Sequence, residues 1–218
     1  MTTDVDRALD ELVEAGAVAP GTAPGEVVDL IVSHARSLDG LERFERLETL
    51  SILSSEVGDY AALGSLGRLR VLAVENSDLA DVSPLASLPL QVVALRRNRI
   101  RDASAAIALP GLQVLDLTGN PLEPASKAAA EALTGALVTA DDSALAEANA
   151  ALADAGVPVV GYRVGDDLRA CSTGLALTPH PEAGHVATSL DDLASVARGE
   201  LSASDLLGLR ADDQQEDP

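Results

Sequence analysis

The feature that most restricts how this chain can fold is an eleven-residue phrase that recurs in fixed register. Leu90, Val93, Leu95, Asn98 and Ile100 occupy positions 1, 4, 6, 9 and 11 of one copy. Leu112, Leu115, Leu117, Asn120 and Leu122 occupy the same positions of the next. Two earlier copies follow the pattern with serine at position 9: Leu47, Leu50, Ile52, Ser55 and Val57, then Leu69, Leu72, Val74, Ser77 and Leu79. Their starting points are spaced 22, 21 and 22 residues apart, from 47 to 69, 90 and 112. One such unit cannot bury its apolar side alone, so a repeated unit of this length predicts a stack whose neighbours share one core.

Two periods alternate within each unit. In the phrase, positions 4 and 6 point inward while 3, 5 and 7 point outward, the two-residue period of a strand. Between phrases the apolar spacing becomes three, as in Val57, Tyr60, Leu63 and Leu66, and again in Leu79, Val82, Leu85 and Leu88. That spacing suits 3₁₀-like turns or a short helix on the back of each coil. The composition agrees: one Phe, two Tyr and no Trp leave burial to Leu, Val, Ile and Ala, which fits stacked aliphatic rungs.

The chain resembles the 22-residue class of leucine-rich repeat proteins. The segment DLADVSPLASL, Asp78 to Leu88, is similar to the inter-strand segment of bacterial internalins and of related phosphatase-regulatory and cytoskeletal adaptors. The resemblance implies an α/β leucine-rich repeat solenoid, a right-handed coil with a parallel concave sheet, an N-terminal helical cap and an α/β C-terminal cap. It also implies a structural ladder in which the position-9 asparagine bonds neighbouring backbone. Asn98 and Asn120 match that role, whereas Ser55 and Ser77 depart from it and predict a looser hold on the first two rungs. Family members share a protein-binding scaffold and differ in partner.

The expected organisation runs from an N-terminal helical cap, 1–46, through leucine-rich repeats, 47–122, to degenerate repeats or an α/β cap, 123–165. A C-terminal loop with helices, 166–211, and a disordered acidic tail, 212–218, complete it. Thr3 is positioned to cap a first helix with Asp4 and Asp6 in its opening turn and Val5, Ala8, Leu9, Leu12 and Val13 on one face. Pro24 begins a second expected helix with Val27, Val28, Ile31, Val32 and Ala35 inward. Past Leu122, Ser126 is expected to cap a helix and Leu137 falls 22 residues after Leu115, the place of a fifth position 4. A helix over 143–155 and a strand over 157–164 then extend the parallel sheet by one or two rungs, or build an independent small α/β unit. Ser189 precedes one further helix, and Ser202 or Ser204 a last short one.

The outward positions define the expected protein-binding face. They comprise Thr49, Val71, Val92 and Val114 at position 3, Ser51, Ala73, Ala94 and Asp116 at position 5, and Leu53, Glu75, Arg96 and Thr118 at position 7. Beside them stand Arg96, Arg97, Arg99 and Arg101, four arginines within six residues. They read either as an anchor for carboxylates or phosphates, or, for Arg96, as neutralisation by Glu75 and Asp116 on the flanking rungs.

The formal charge is −20, from 35 acidic and 15 basic residues, with Lys127 the single lysine. Such a field argues against general nucleic-acid or anionic-membrane binding, and it serves either solubility or the steering of a basic partner. A lone Cys171 cannot form an internal disulfide, and an N-terminus with early acidic residues lacks signal-peptide character; a cytoplasmic monomer is expected. Catalytic motifs are sparse. His34 has no partner at metal spacing, and His180 and His185 match no zinc signature. Cys171 with His185 is a bare thiol–imidazole pair, VVGYRVGDD is not a phosphate loop, and the Asp141-Asp142, Asp166-Asp167 and Asp191-Asp192 pairs suit turns and helix starts. No metal or cofactor is expected. The first functional expectation is a non-enzymatic adaptor or regulator binding a protein partner; the alternative is an enzyme or small-ligand domain in the C-terminal third, with the repeats recruiting substrate.

Overall fold

The computed structural model describes residues 2–140, 143–173 and 185–208. Six strands form one sheet in sequence order, every neighbouring pair parallel: β1 (Asp29–Ser33), β2 (Thr49–Leu53), β3 (Val71–Glu75), β4 (Val92–Ala94), β5 (Val114–Asp116) and β6 (Leu137–Thr139). Parallel neighbours need a crossover each time, and here every crossover is the back half of one coil. Position 4 aligns as Leu30, Leu50, Leu72, Val93, Leu115 and Val138 across the sheet. The step along the chain from one to the next is shortest in the first coil and longest in the last.

The backs of the coils carry 3₁₀ turns at Leu41–Arg43, Ala61–Ser65 and Ser83–Leu85, and then two helices, α2 (Ser104–Ile107) and α3 (Pro124–Glu131). The apolar residues spaced by three turn inward here: Tyr60, Leu63, Leu66, Val82, Leu85 and Leu88 are buried beside the strand leucines. A single core cluster runs from Val5 to Ala130 through every coil. Its one phenylalanine, Phe44, fills the back of the first coil and is fully buried.

At the N-terminus α1 (Asp4–Glu14) begins with Thr3, whose hydroxyl accepts from the Asp6 amide while the Asp6 carboxylate accepts from the Thr3 amide. Its Val5 and Ala8 are buried in the common core, so α1 closes the apolar edge of the first coil. The second expected helix is a strand. Leu30 and Val32 are buried while Ile31 between them is exposed, the two-residue period of β1. The helical spacing of Val27, Val28, Ile31 and Val32 had concealed a further copy of the phrase: Val27, Leu30, Val32 and Ala35 at positions 1, 4, 6 and 9. The repeats therefore begin one coil ahead of Leu47, within the region expected to be cap, and His34 sits at a strand end rather than in a helix.

The register past Leu122 also differs from expectation by one residue. Val138, not Leu137, stands level with Leu115 and packs on the core, and Leu137 points outward. The loop between α3 and β6 is one residue longer than a strict 22-residue period allows, and a slip of one residue exchanges the faces of a strand. In α3 the cap position is Glu123; the Ser126 hydroxyl instead accepts from the buried Ala103 amide at 2.7 Å.

After β6 the parallel sheet stops. The helix α4 (Ser143–Asp154) leads into an antiparallel sheet of β7 (Val159–Val164), β8 (Asp167–Ser172) and β9 (His185–Ala187), followed by α5 (Leu190–Ala197) and α6 (Ala203–Leu206). The strand expected to add a parallel rung is β7 of this second unit, and a hairpin turn at Gly165-Asp166 joins it to β8. Leu145, Leu152, Val159, Ala170, Leu193 and Val196 form its own core. The helices approach β7 so closely at Gly161 that a Cβ there would lie 2.5 Å from Leu193 Cδ1, and Asn149 bonds both the Gly161 amide and carbonyl. Ser189 caps α5 through Asp192, and Ser202 caps α6. The expected acidic tail and His180 lie outside the described residues. No helix among the described residues is long and apolar enough to cross a membrane.

Candidate functional site

The outward positions of the six strands form one open face. Asp29, Thr49, Val71, Val92, Val114 and Leu137 stand in one row, at position 3. Ile31, Ser51, Ala73, Ala94, Asp116 and Thr139 form the next row, at position 5. Ser33, Leu53 and Glu75 align at position 7, and Arg96 and Thr118 continue that row in sequence. All but Asp116 keep solvent contact. Short and β-branched side chains dominate, leaving the sheet surface accessible.

Position 7 holds the charges. Arg96 Nε donates to Asp116 Oδ2 at 2.7 Å, and its Nη1 lies 3.7 Å from Glu75 Oε1. Asp116 is only 9% exposed, and Thr118 donates both its amide and its hydroxyl to Asp116 Oδ1. The Asp116 hydrogen bond raises the Arg96 pKa, opposed by its partial burial. Arg96 is thus held between carboxylates of the two flanking rungs, the neutralised arrangement. Asp116 serves that pair and is not an open surface group, contrary to expectation.

Arg97 is not part of the surface. It is 3% exposed, its guanidinium lies 3.9 Å over the Tyr162 ring of β7, and its Nη1 reaches Cys171 Sγ of β8 at 3.4 Å. It therefore fastens the array to the C-terminal unit by a cation–π contact. Burial pushes its pKa down. Its Nη2 and the Asn98 Oδ1 have no hydrogen-bond partner among the described residues, and both residues border a cavity of about 80 Å³ between the two units. Arg101 forms an ion pair with Asp154 of α4, a second link to the same unit. Of the four clustered arginines, Arg99 is the most open, and it borders a separate polar groove beside Thr173.

Arg97 reveals a conformational pattern that residue types had hidden. His34, Ser54, Asn76 and Arg97 occupy position 8 of successive phrases and have φ of 53°, 49°, 53° and 51°; among the described residues they are all the non-glycines with positive φ. Gly119 holds the same place in the next coil at 77°, where a Cβ would lie 2.8 Å from Arg97 Cγ. Strands β1 to β5 each turn off through this left-handed residue, which L-residues adopt at a cost. Asparagine and glycine hint at it; serine and arginine do not.

Position 9 forms the ladder. Asn120 Nδ2 donates to the Leu95 and Leu117 carbonyls at 2.6 and 2.9 Å, and its Oδ1 accepts from the Ile100 amide at 3.1 Å. Asn98 Nδ2 donates to the Val74 and Arg96 carbonyls. The serine rungs are bonded as well. Ser55 Oγ accepts from the Ala35 amide at 3.0 Å, Ser77 Oγ from the Ser55 amide at 3.1 Å, and each hydroxyl donates to its own strand end. A hydroxyl both accepts and donates, so it spans adjacent rungs with two bonds.

The thiol–imidazole pair has a definite placement. Cys171 and His185 are cross-strand neighbours, but Cys171 is fully buried and burial raises its pKa, opposed by Arg97. His185 Nδ1 is 2.5 Å from the Tyr162 hydroxyl. An enclosed thiol raised in this way is not poised for nucleophilic attack. Among the described residues no cluster of His, Cys, Asp and Glu could hold a metal.

No protein-family model and no curated protein matches the sequence. Solved structures similar in shape include internalin C2 of Listeria monocytogenes, 24% identical with a TM-score of 0.45, where the match covers 50% of this chain and 48% of that one. Another internalin of the same organism, InlF, is 20% identical with a TM-score of 0.37, over 69% of this chain and 63% of its own. A leucine-rich repeat protein of Leptospira interrogans is 21% identical with a TM-score of 0.39, over 45% and 26%. The chain spans less than two thirds of the length of each. Its own geometry, a recurring phrase that gives one parallel strand per coil and a bonded ladder at position 9, is that of a leucine-rich repeat solenoid.

Proposed function

We propose that the chain is a non-enzymatic protein-binding scaffold, an adaptor or regulator, that receives its partner on the open face of the six-stranded sheet. The observation that carries this reading is the face itself: six aligned strands whose outward side chains are mostly short and, Asp116 excepted, solvent-accessible over a continuous core. The buried, raised Cys171 thiol supplies no support for the alternative of an enzyme in the C-terminal third. A single free cysteine suits a scaffold of a reducing compartment, the cytoplasm.

Photo-crosslinking tests it. A benzophenone amino acid placed at Thr49 or Ala94, on the face, is expected to capture a defined partner in the source cell. The same group at Asp81 or Ser87, on the exposed back of a coil, is expected to capture none. Equal capture from both sides, or capture from the back alone, overturns the assignment.

A further inference from the structure

If the open face is the binding surface, its chemistry specifies the occupant. Three large hydrophobic residues among the described ones are strongly exposed, and two of them lie on this face at opposite ends: Ile31 on β1, 53% exposed, and Leu137 on β6, 67% exposed. Between them Val71, Val92 and Val114 run in register into Leu137, with the small Ala73 and Ala94 alongside. From β3 to β6 this apolar strip follows the position-3 ends of the strands, and Ile31 continues it from the position-5 row of β1. The C-terminal unit borders the other end, where Tyr162 and Arg163 line a cleft with Arg96, Asp116 and Thr118. The strip is therefore clear of it.

Each strand is already hydrogen-bonded to its neighbours, so the face has no backbone to offer an extended peptide. Such a peptide would press unpaired amides and carbonyls onto valines, whereas a helix satisfies its own backbone and presents side chains alone. Five strand steps of about 4.8 Å give a span of about 24 Å, the length of a helix of about 16 residues.

Charge supplies the second restriction. The face carries three carboxylates, Asp29, Glu75 and Asp116, against the one guanidinium of Arg96, which two of them already hold. Glu48 and Arg70, which border the apolar strip, cancel each other, and the whole chain stands at −20. The partner's complement is positive. Of the arginine edge that an anionic partner would need, Arg96, Arg97 and Arg101 are engaged in internal contacts, which leaves Arg99 as its open member.

We infer that the occupant is an amphipathic helix of a partner protein, about 16 residues long, with an apolar stripe that packs on Ile31, Val71, Val92, Val114 and Leu137 and a basic flank. This rests on the scaffold reading above and is tested separately from it. The full chain, immobilised, selects from a displayed library of random peptides long enough to form such a helix, and the retained peptides are measured against the wild type and the Ile31→Ser, Leu137→Ser double variant. Both substitutions remove exposed side chains, and a thermal melt within a few degrees of wild type verifies the fold.

The expected result is enrichment of lysine- and arginine-rich peptides with apolar residues at helical spacing, bound at least tenfold more weakly by the variant and associating more slowly as salt rises. Acidic peptides that also lose affinity for the variant would overturn the inferred polarity while leaving the scaffold reading in place. Peptides indifferent to the two substitutions would overturn the strip as the docking site, and if photo-crosslinking also failed on the face, the scaffold reading with it. An empty selection overturns the helix inference and leaves crosslinking to decide the scaffold.

Discussion

At the scale of single residues, what separates core from surface is the two-residue alternation of each strand. Leu95 and Leu115 are fully buried, whereas Val92 keeps solvent contact on the open face. Leu115→Ala is therefore expected to lower stability by about 2–5 kcal/mol in chemical denaturation. Val92→Ala is expected to cost under about 1 kcal/mol, and similar losses at the two sites would refute the assignment of faces. The ladder makes a comparable prediction. Asn120→Ala removes three hydrogen bonds and takes the side-chain partner from the Leu95 carbonyl and the Ile100 amide, and is expected to cost about 2–3 kcal/mol; Ser77→Ala removes one hydroxyl and is expected to cost about 1 kcal/mol. The ladder asparagines were legible in the sequence, because a repeated Asn at one register is visible as text. The competence of the serines was not, since it depends on how close the adjacent rung comes.

At the scale of elements, α1 is held by charge as well as by Val5 and Ala8. The Arg43 guanidinium and the Thr3 amide hold the Asp6 carboxyl at a pKa of about 2, below its ordinary 3.8. The backbone amides of Arg36 and Ser37 likewise lower Asp4, with Arg7 assisting and burial opposing. A carboxyl with a depressed folded pKa adds stability that is present above its unfolded value and is lost as pH falls through the folded one. Hydrogen exchange in α1 is accordingly expected to accelerate, relative to the β3 amides, as pH falls from about 4 to about 2. Asp6→Asn should reduce that dependence, and an unchanged profile in the variant would show that the Asp6 contacts do not hold the helix. The cap was readable from Thr3 and Asp6, which lie three residues apart; its partners in the first coil were not, because Arg36 and Arg43 come into range only once β1 is a strand. The same segment shows why its helical reading failed: Val27, Val28, Ile31 and Val32 satisfy a helical period by themselves, and only the pairing of β1 with β2 selects the alternation of Leu30 and Val32.

At the scale of the whole molecule, the repeats and the C-terminal unit meet through Arg97 on Tyr162, Arg97 on Cys171 and the Arg101–Asp154 pair. Removing the aromatic platform should loosen this junction without touching the array. Tyr162→Ala is expected to raise the rate of iodoacetamide labelling of Cys171 at least tenfold over the slow labelling of the wild type, while the main unfolding transition shifts little. Labelling at an unchanged rate would mean that the unit's own core, not its contact with the array, shields the thiol.

The amino-acid sequence by itself determined the repeat length, the buried ladder, the turns on the back of each coil and the outward residues of β2 to β5. Local periodicity encodes all of these, since each depends on residues within one coil or at the same place in the next. Tertiary structure alone decided which arginines are surface. The repeat register already offered Glu75 and Asp116 as partners of Arg96, but Arg97 is buried by a tyrosine of the C-terminal unit, a separation that no local pattern spans. It decided as well that β7 leaves the parallel sheet, because a helix followed by a strand satisfies both a further rung and a separate unit until β8 and β9 pair with it.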